Sequence, residues 1–301
     1  MTAPMIQLRS LSRTFGTTHA VRDLSLVVPR GLTLGLLGMN GAGKSTTLRM
    51  LMGLLKPTAG EALIDGREVI RYGPELRQQI GYVPERPTVY SWMRVQEAMQ
   101  FCKSLQPGWD DQTADKLLQM FRLDRRKPVR ALSRGMTTKL HLLLALAHRP
   151  DTLILDEPLS GLDPIVRDEF LEGVLAGICE HDCTVVLSSH QVDDVQKLAD
   201  RVAFLHEGEL VLEGETQALL NDVRRMRVTL ADSDVAFTAP RGTILCRRER
   251  RVSTVTVRAC DEQLLRETSQ QAGVVQVDTD VLTLTELFKD VVRATETAAR
   301  C

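Results

Sequence analysis

The chain reads Gly38-Met39-Asn40-Gly41-Ala42-Gly43-Lys44-Ser45 directly after an apolar run, Leu34 to Leu37. This stretch fits G-x-x-x-x-G-K-[ST], the pattern of a phosphate-binding loop between a strand and a helix. Its glycines permit backbone conformations in which successive N–H groups turn inward around phosphate oxygens. Lys44 would meet the β- and γ-phosphates, and the Ser45 hydroxyl would be a ligand for Mg²⁺. The loop predicts a nucleoside triphosphate site; a glycine-rich surface turn is the alternative, which the helical sequence from Thr46 to Leu51 disfavours.

Composition narrows the class of protein. The 301 residues are 43% hydrophobic and 26% charged, as in a soluble globular protein with room for one large domain and one small one. The formal net charge is −1, so no overall positive field attracts nucleic acid, and we expect no nucleic-acid partner.

No segment predicts export or membrane insertion. The first nine residues lack the charged segment and apolar core of a secretory signal. The most apolar helical run, Leu140 to Ala147, is far shorter than the ~20 residues that span a bilayer. We therefore expect a cytoplasmic protein, peripheral on the inner face of the cell membrane through a partner.

The six cysteines indicate a reducing compartment. They stand at 102, 179, 183, 246, 260 and 301 without a CxxC pair, so they do not form a disulfide framework. The cluster from Cys179 to Cys183, with Glu180, His181 and Asp182 inside it, could be read as metal ligands. Because it spans a predicted helix end and the start of the next strand, a metal site is the less favoured interpretation.

Strand-like segments surround the loop. Ile6-Gln7-Leu8 alternates, Leu24 to Val28 is rich in β-formers, and Glu61 to Gly66 is typical of a strand that ends in an Asp-Gly turn. Ile80 to Pro84 predicts a further short strand. These segments predict an N-terminal antiparallel β-subdomain beside the loop's own strand.

Residues from about 88 to 149 predict an inserted helical subdomain. Its best helical segments run from Val95 to Leu105, from Thr113 to Phe121 and from Met136 to His148, with proline-containing breaks between them.

Strand–helix alternation resumes after this block and predicts a mostly parallel sheet covered by helices. The predicted elements are a strand at Thr152 to Leu155, a helix at Val166 to Ile178, a strand at Thr184 to Ser188, and a hairpin of Arg201 to Leu205 with Glu209 to Glu213.

The chain changes character near residue 222, which predicts a large first domain at 1–222 and a small α+β domain at 223–301. The predicted elements of the second domain are strands at 226–231, 243–247 and 252–258 and helices at 261–272 and 284–294. The basic run from Arg247 to Arg251 is most simply a solvated hairpin tip, and a contact for anionic lipid or for an acidic protein surface is the alternative.

An acid pair follows a second buried strand. Leu153-Ile154-Leu155 leads into Asp156 and Glu157, at the strand end where α/β sheets place their ligands. Asp156 would hold Mg²⁺, and Glu157 would orient and deprotonate an attacking water. Without the phosphate-binding loop, a solvated strand end would explain the pair equally well.

Between the loop and the acid pair lies Leu132-Ser133-Arg134-Gly135-Met136. With this stretch the chain resembles the ATP-binding subunits of ABC transporters, whose signature reads L-S-G-G-Q. The resemblance extends to Ser160-Gly161-Leu162-Asp163, the family's D-loop, to His190, its switch histidine, and to Phe15, where the family places an aromatic ring against adenine. These motifs occur in the family's order and spacing and cover roughly residues 5 to 220.

The resemblance implies a P-loop NTPase fold of the α/β class that binds ATP and Mg²⁺ and hydrolyses ATP. The nucleotide-binding residues that it implies are Phe15, Gly38, Asn40, Gly41, Ala42, Gly43, Lys44, Ser45, Thr46, Ser133, Gly135 and Asp163. The implied Mg²⁺ ligands are Ser45, Asp156 and Glu85, and the implied catalytic residues are Lys44, Glu85, Glu157 and His190.

The resemblance also implies an assembly. Ser133 and Gly135 precede a predicted helix, and as in the family they would hold the γ-phosphate bound by the other subunit's loop. Two copies, or one copy and a related subunit, would then close head to tail on two ATP. The further partner is an integral membrane permease, which ATP hydrolysis drives, most simply for export.

Two departures from the family pattern affect the expected site. Glu85 stands where most members have a glutamine, so the position that senses metal and water becomes a carboxylate. The acid resembles the variant of exporters with short six-helix permeases. Arg134 and Met136 replace Gly and Gln of the signature, and Arg134 would either pair with phosphate or point away from it.

Three other interpretations compete with a transporter subunit. Chromosome-maintenance ATPases need a long coiled coil between loop and signature, but the intervening sequence has no sustained heptads. Translation factors of the superfamily usually carry two such domains, whereas this chain has one signature. A nucleotide-dependent clamp without turnover is the non-enzymatic alternative, and Glu157 and His190 argue against it. The role of residues 223–301 is open, either in the dimer interface or as a cover for the ATPase.

Overall fold

The computed structural model describes residues 4–86, 88–180 and 182–298. In this part of the chain the strands are β1 (Ile6–Phe15), β2 (Thr18–Val28), β3 (Thr33–Gly38), β4 (Ala59–Ile64), β5 (Arg67–Glu68), β6 (Ile80–Val83), β7 (Thr152–Asp156), β8 (Thr184–Ser189), β9 (Arg201–His206), β10 (Glu209–Glu215), β11 (Arg224–Leu230), β12 (Thr243–Glu249), β13 (Val252–Val257) and β14 (Val274–Val281). The helices are α1 (Lys44–Leu51), α2 (Val69–Arg77), α3 (Val95–Leu105), α4 (Asp111–Met120), α5 (Arg134–Leu146), α6 (Pro164–Glu180), α7 (Val192–Gln196), α8 (Thr216–Asp222), α9 (Glu262–Ser269) and α10 (Leu284–Ala298).

The chain divides into two compact units, the first ending at Leu210 and the second beginning at Val211. The sequence-based division after residue 222 concerns where the ATP-binding region ends, and it stays a prediction. None of the described helices is long and apolar enough to cross a membrane.

Parallel strands in the order β9-β3-β8-β7-β6 form the centre of the first unit. Strands β3, β7 and β8 are buried along their whole length, as continuous apolar strands are when both faces of a sheet are covered. Their carboxyl ends meet at one edge because Asp156 pairs with Ser188 and Leu37 with Ser189. This edge brings the phosphate-binding loop and the acid pair together, and the predicted α/β fold class is confirmed.

A second sheet, with the order β2-β1-β4-β5, is the predicted antiparallel β-subdomain. Its buried face joins one apolar core with residues of β3, α1 and α2, including Leu36, Leu48 and Val69. The sheet places Phe15 at the end of β1 and Ala20 in β2.

The predicted helical block consists of α3, α4 and α5. Helix α5 begins two residues earlier than the sequence predicts, because the Ser133 hydroxyl accepts a hydrogen bond from the Met136 N–H at 3.2 Å and caps the helix. Gly135 therefore lies in the first turn of α5, and the prediction that it precedes the helix was wrong.

The sequence-based interpretation missed two longer elements. Helix α2 contains Gly73 and Pro74, which are typical of a break, and Tyr72 has a non-helical φ of −113° at a kink. Edge strand β14 was missed because only Val274 and Val277 are even partly buried, so its apolar residues do not alternate. The short helices α7 and α8 were also not predicted.

The second unit is an antiparallel sheet, β12-β13-β11-β14, with α9 and α10. One apolar cluster joins the sheet to α9; it includes Met226 and Val228 of β11, Val255 and Val257 of β13, and Leu264 of α9. Asp290 of α10 is buried, and accepts hydrogen bonds from Arg225 Nη2 at 2.7 Å and from Thr256 Oγ1 at 2.6 Å. This ion pair fixes α10 on the sheet because Asp290, whose side chain is only 7% exposed, would lose its closest cationic partner without Arg225.

The basic run from Arg247 to Arg251 covers the exposed end of β12 and the turn to β13, as predicted for a hairpin tip. Arg248 donates to the carbonyl oxygens of Val235 at 2.7 Å and Ser233 at 2.5 Å. Arg248 is therefore held by hydrogen bonds to the backbone of its own unit.

The cysteine cluster remains without support as a metal site. His181 lies outside the described residues, and the described ranges hold no group of three His, Cys, Asp or Glu side chains suited to a metal ion. The described cysteines at 102, 183, 246 and 260 are free thiols, and Cys301 lies outside the described residues.

His141 of α5 makes the stability of the first unit depend on pH. Burial lowers the pKa of His141 from 6.5 to about 4. Below pH 6.5 His141 binds a proton in the unfolded chain, whereas in the folded chain it binds one only below about pH 4. The contribution of neutral His141 to the free energy of unfolding is therefore complete above pH 6.5 and falls as the pH drops. When the pH is lowered from 7 to 5, we expect the free energy of unfolding of His141→Leu to fall by about 2 kcal/mol less than that of wild type.

Denaturant unfolding at the two pH values measures this difference. His19→Leu is the matched control, because His19 is exposed. An equal pH dependence in wild type and His141→Leu would contradict the assignment.

Candidate active site

The phosphate-binding loop has a backbone conformation that requires glycine. Gly43 caps helix α1 with a φ of +101°, in the left-handed region. A Cβ at Gly43 would also lie 2.4 Å from the Ala20 carbonyl oxygen. The Thr47 N–H returns to the Gly43 carbonyl at 2.9 Å, so the N–H groups of Lys44, Ser45 and Thr46 precede the first such bond of α1. These first-turn N–H groups and the positive end of the helix dipole suit a phosphate.

Lys44, Glu157 and His190 form a cluster at the sheet edge, in which Lys44 and Glu157 are a buried ion pair. The Lys44 Nζ lies 2.7 Å from the Gly38 carbonyl oxygen and 3.0 Å from Glu157 Oε1. The other carboxylate oxygen, Oε2, accepts a hydrogen bond from His190 Nδ1 at 2.7 Å. Lys44 is 5% exposed and Glu157 8%, so this contact is shielded from water and correspondingly strong. The cluster unites three residues that the sequence predicted to act on one γ-phosphate.

Asp156 lies beside this cluster and is held by two hydroxyl groups. Ser45 Oγ and Ser188 Oγ donate to the same oxygen, Oδ1, at 2.9 Å and 2.8 Å. Burial raises the pKa of Asp156, and the neighbouring carboxylates Glu157 and Glu85 raise it further, whereas the two hydroxyls lower it. A divalent cation would relieve this crowding of negative charge.

Glu157 has a strained backbone. Its φ is +46°, a region that side chains with a Cβ rarely adopt. The Glu157 N–H donates to Ser188 Oγ at 2.9 Å, and its carbonyl accepts the Ser160 N–H at 3.2 Å. The strain turns the acid away from the strand direction into the cavity, which is typical of a functional position.

A cavity of about 400 Å³ covers the loop. It is lined by Asn40 to Thr46 and by Ala20, Glu85, Glu157, Ser160 and His190. The serine hydroxyl and the carboxylates around it are hard oxygen donors of the kind that Mg²⁺ prefers, so the residues present fit that ion.

Sequence reasoning missed Ser188 and Ser160. Ser188 is completely buried in β8 and joins Asp156 to the Glu157 backbone. A hydroxyl in an otherwise apolar strand just before His190 was the available signal. Ser160 was noticed only as part of the D-loop motif, although it lines the cavity.

Phe15 lies outside the residues that line this cavity. Its ring is 46% exposed, and one face is covered by the Arg13 guanidinium at 4.5 Å from the ring centre. The cation–π contact orients the ring while leaving apolar surface for a second stacking partner.

Ser133, Gly135 and Asp163 are also not among the residues that line the cavity. Gly135 is buried against Val166 of α6, where a Cβ would lie 2.7 Å from Val166 Cγ1. Asp163 Oδ1 accepts the Val166 N–H at 3.0 Å and caps α6, with Pro164 at its first position. Arg134, which was left open between phosphate pairing and solvent, donates from Nη2 to the Ser160 carbonyl oxygen at 2.6 Å.

Comparison with known proteins identifies relatives of this arrangement. A family profile described as "ABC transporter" matches residues 21–160. The chain is 35% identical over 211 residues to the bacitracin transport ATP-binding protein BcrA of Bacillus licheniformis, an alignment that covers 69% of each chain. It is 33% identical to the lantibiotic transport ATP-binding protein SrtF of Streptococcus pyogenes, over 70% of this chain and 91% of the relative.

Solved structures show the same fold. The structure of an ATP-binding subunit of an ABC transporter superposes with a TM-score of 0.65 and 28% identity, over 72% of this chain and 92% of that one.

Proposed function

Since this chain belongs to the family of ABC transporter ATP-binding proteins and is an ATPase subunit of a transporter, we propose that two copies close on two Mg-ATP and drive a membrane permease. The observation that carries the dimer is the division of the site. The phosphate-binding loop, Glu157 and His190 line one cavity, whereas Ser133 and Gly135 do not line it. A second copy would supply the missing side.

The cavity residues support ATP with Mg²⁺ as the ligand. Ser45 and Asp156 would hold the ion, with Glu85 as a further oxygen ligand beside them. When bound, Mg²⁺ neutralises charge on the β- and γ-phosphates. Asn40 to Thr46 would surround the phosphates, and adenine would stack on the face of Phe15 opposite Arg13.

The cluster of Lys44, Glu157 and His190 supports a hydrolysis mechanism in which Lys44 exchanges Glu157 for phosphate. In the structure Lys44 is paired with Glu157. A γ-phosphate at the loop would take Lys44 for itself and leave Glu157 with His190 alone. Glu157 then accepts the proton of the attacking water, and His190, already bonded to Oε2, keeps the acid aligned and meets the γ-phosphate.

The start of α5 supports the completion of the site by a second copy. Ser133 is exposed at the positive end of α5, where a hydroxyl and the first-turn N–H groups suit an anion. In the head-to-tail dimer this anion is the γ-phosphate on the other copy's loop, and Asp163 of the D-loop lies close to that loop. The partner is a second copy or a related ATPase subunit.

Light scattering tests the dimer directly. The full chain, measured with Mg²⁺ and a non-hydrolysable ATP analogue, should have the mass of two copies, and without nucleotide the mass of one. Ser133→Asp keeps the helix cap but opposes a phosphate, so it should stay monomeric with the analogue. A monomeric wild type at saturating analogue would refute the assembly.

An aromatic surface on the helical block supports a permease as the further partner. Tyr90 and Trp92 stack with ring centres 5.8 Å apart, and Tyr90 meets Phe101 edge-on at 6.1 Å. The three side chains are 58%, 70% and 43% exposed. Tyr90 and Phe101 border a cavity of about 780 Å³. Exposed aromatic side chains beside a cavity are typical of an anchoring site, and here the occupant would be a cytoplasmic segment of the permease.

Replacing Trp92 should uncouple the subunit from its permease. We expect Trp92→Ala to leave the ATPase rate of the isolated chain unchanged and to reduce capture of the permease by about 2 kcal/mol, roughly 30-fold. Copurification from membranes with quantified permease measures the effect. Trp109→Ala is the matched control, since Trp109 lies by α4 and bonds to Asp111. Equal capture by Trp92→Ala and wild type would remove the aromatic surface from the interface.

The direction and location follow from the same proposal. The bacitracin and lantibiotic transport relatives support export of a compound recognised by the permease. The chain would act at the cytoplasmic face of the cell membrane. The domains proposed for this role are the ATPase at 1–222 and an accessory domain at 223–301.

A further inference from the structure

Arg134 stands at a helix position that does not favour a positive charge. It is the first residue of α5, directly after the Ser133 cap. A cation there is opposed by the positive end of the helix dipole, by ~0.3–1 kcal/mol. The arginine therefore needs a contact outside the helix, and its hydrogen bond to the Ser160 carbonyl is that contact.

The turn that receives Arg134 is shaped for it. Gly161 has a φ of +69°, and a Cβ there would lie 2.6 Å from Arg134 Nη1 and 3.0 Å from its Cζ. The guanidinium thus occupies the space that a side chain at residue 161 would need. Its planar fork packs against this glycine as well as bonding to Ser160, which a lysine would not reproduce fully.

The same turn belongs to the hydrolytic site. Ser160 lines the nucleotide cavity together with Glu157, and the Ser160 N–H donates to the Glu157 carbonyl at 3.2 Å. Because the Glu157 backbone is held in a strained conformation, a shift of the turn changes the orientation of the acid. Arg134 therefore ties the start of α5 to the segment that positions Glu157.

We propose that Arg134 is a positioning residue that couples the two ATP sites of the dimer. The inference rests on the proposed dimer, in which Ser133 of one copy meets the γ-phosphate held by the other. When the dimer closes on that phosphate, the start of α5 is held in place. Arg134 then holds the Ser160–Gly161 turn of the same copy. The turn in its place orients Glu157 toward the ATP bound by the loop of that copy. Each site is then aligned for hydrolysis when the opposite site is filled.

The test measures ATPase rate against ATP concentration in the full chain. Wild type should be cooperative, with a Hill coefficient near 2. Arg134→Gly, which introduces the residue of the family signature, should lower the Hill coefficient to near 1 and kcat about tenfold, while binding of a fluorescent ATP analogue to dilute, monomeric protein stays unchanged. Arg134→Lys should recover part of the cooperativity. Arg130→Gly, at an exposed arginine four residues earlier, is the matched control.

A second variant tests the same contact from the side of the turn, where alanine at a φ of +69° both displaces the guanidinium and strains the backbone. Gly161→Ala displaces the guanidinium, so it should also abolish cooperativity, and Arg134→Gly with Gly161→Ala should lower cooperativity no further than either alone. Independent, additive effects would overturn the proposal. So would a wild-type Hill coefficient of 1, or unchanged cooperativity and kcat in Arg134→Gly. Absence of dimerisation in wild type would instead refute the proposed function.

Discussion

Replacing Glu157 with glutamine is expected to lower the ATPase rate by ~100- to 10,000-fold, the usual contribution of a general base. Glutamine has nearly the same size and keeps an oxygen to accept the His190 N–H, but it cannot take a proton from water. The buried position of Glu157 between Lys44 and His190 leaves little room for solvent to substitute for the base. Phosphate release in the full chain measures the rate.

Nucleotide binding should behave differently from hydrolysis in Glu157→Gln. Removing a carboxylate from the phosphate-binding cavity removes a repulsion between like charges, so ATP should bind at least as tightly as in wild type. The variant should accumulate as an ATP-bound dimer visible by light scattering. Glu61→Gln, which alters an exposed glutamate paired with Arg9, is the control for the loss of a charge. A rate within threefold of wild type would exclude Glu157 as the base, for which an effect of at least ~100-fold is required.

The phosphate-binding loop and its strand were readable from sequence because their determinants are local. A continuous apolar strand, glycines at positions of positive φ and a following helix lie within a few residues of one another. The acid pair was readable for the same reason, since Asp156 and Glu157 end a buried strand. The fold class follows from such segments by alternation alone.

Contacts between distant segments were not readable in this way. Nothing local says that Glu157 pairs with Lys44, because that contact depends on the register of β3, β8 and β7. The direction of the Arg134 side chain depends on the Gly161 turn, which lies far along the chain in the connection from β7 to α6. Strand β14 pairs with a neighbour along one edge only and is mostly exposed. Its sequence therefore shows no alternation of apolar and polar residues.

Replacing Lys44 with alanine should remove most of the affinity for ATP. Loss of a charge-assisted contact to phosphate costs about 2–3 kcal/mol, which weakens binding by roughly 30- to 150-fold. Arginine should not rescue the function, because the compact ammonium fits between the Gly38 and Met39 carbonyl oxygens at 2.7 and 3.2 Å. Titration with a fluorescent ATP analogue measures the loss. Lys103→Ala is the control, since Lys103 is half-exposed and paired with Asp111. Tight binding by Lys44→Ala would contradict the loop assignment.

A mixture of two inactive variants uses the same substitution to separate a shared site from a self-contained one. Lys44→Ala lacks the phosphate cation but keeps Ser133, whereas Ser133→Asp keeps the loop and, because aspartate caps helices well, the start of α5. In a dimer of one copy each, the loop of the Ser133→Asp copy meets the intact Ser133 of the Lys44→Ala copy, and one complete site forms. Hydrolysis should therefore return on mixing, although each variant alone is inactive. Because the opposite site of this dimer stays empty, the rate should be the reduced, non-cooperative one expected of the uncoupled Arg134→Gly variant. If every site were built within one chain, the mixture would stay as inactive as its parts, because no copy in it carries both intact groups.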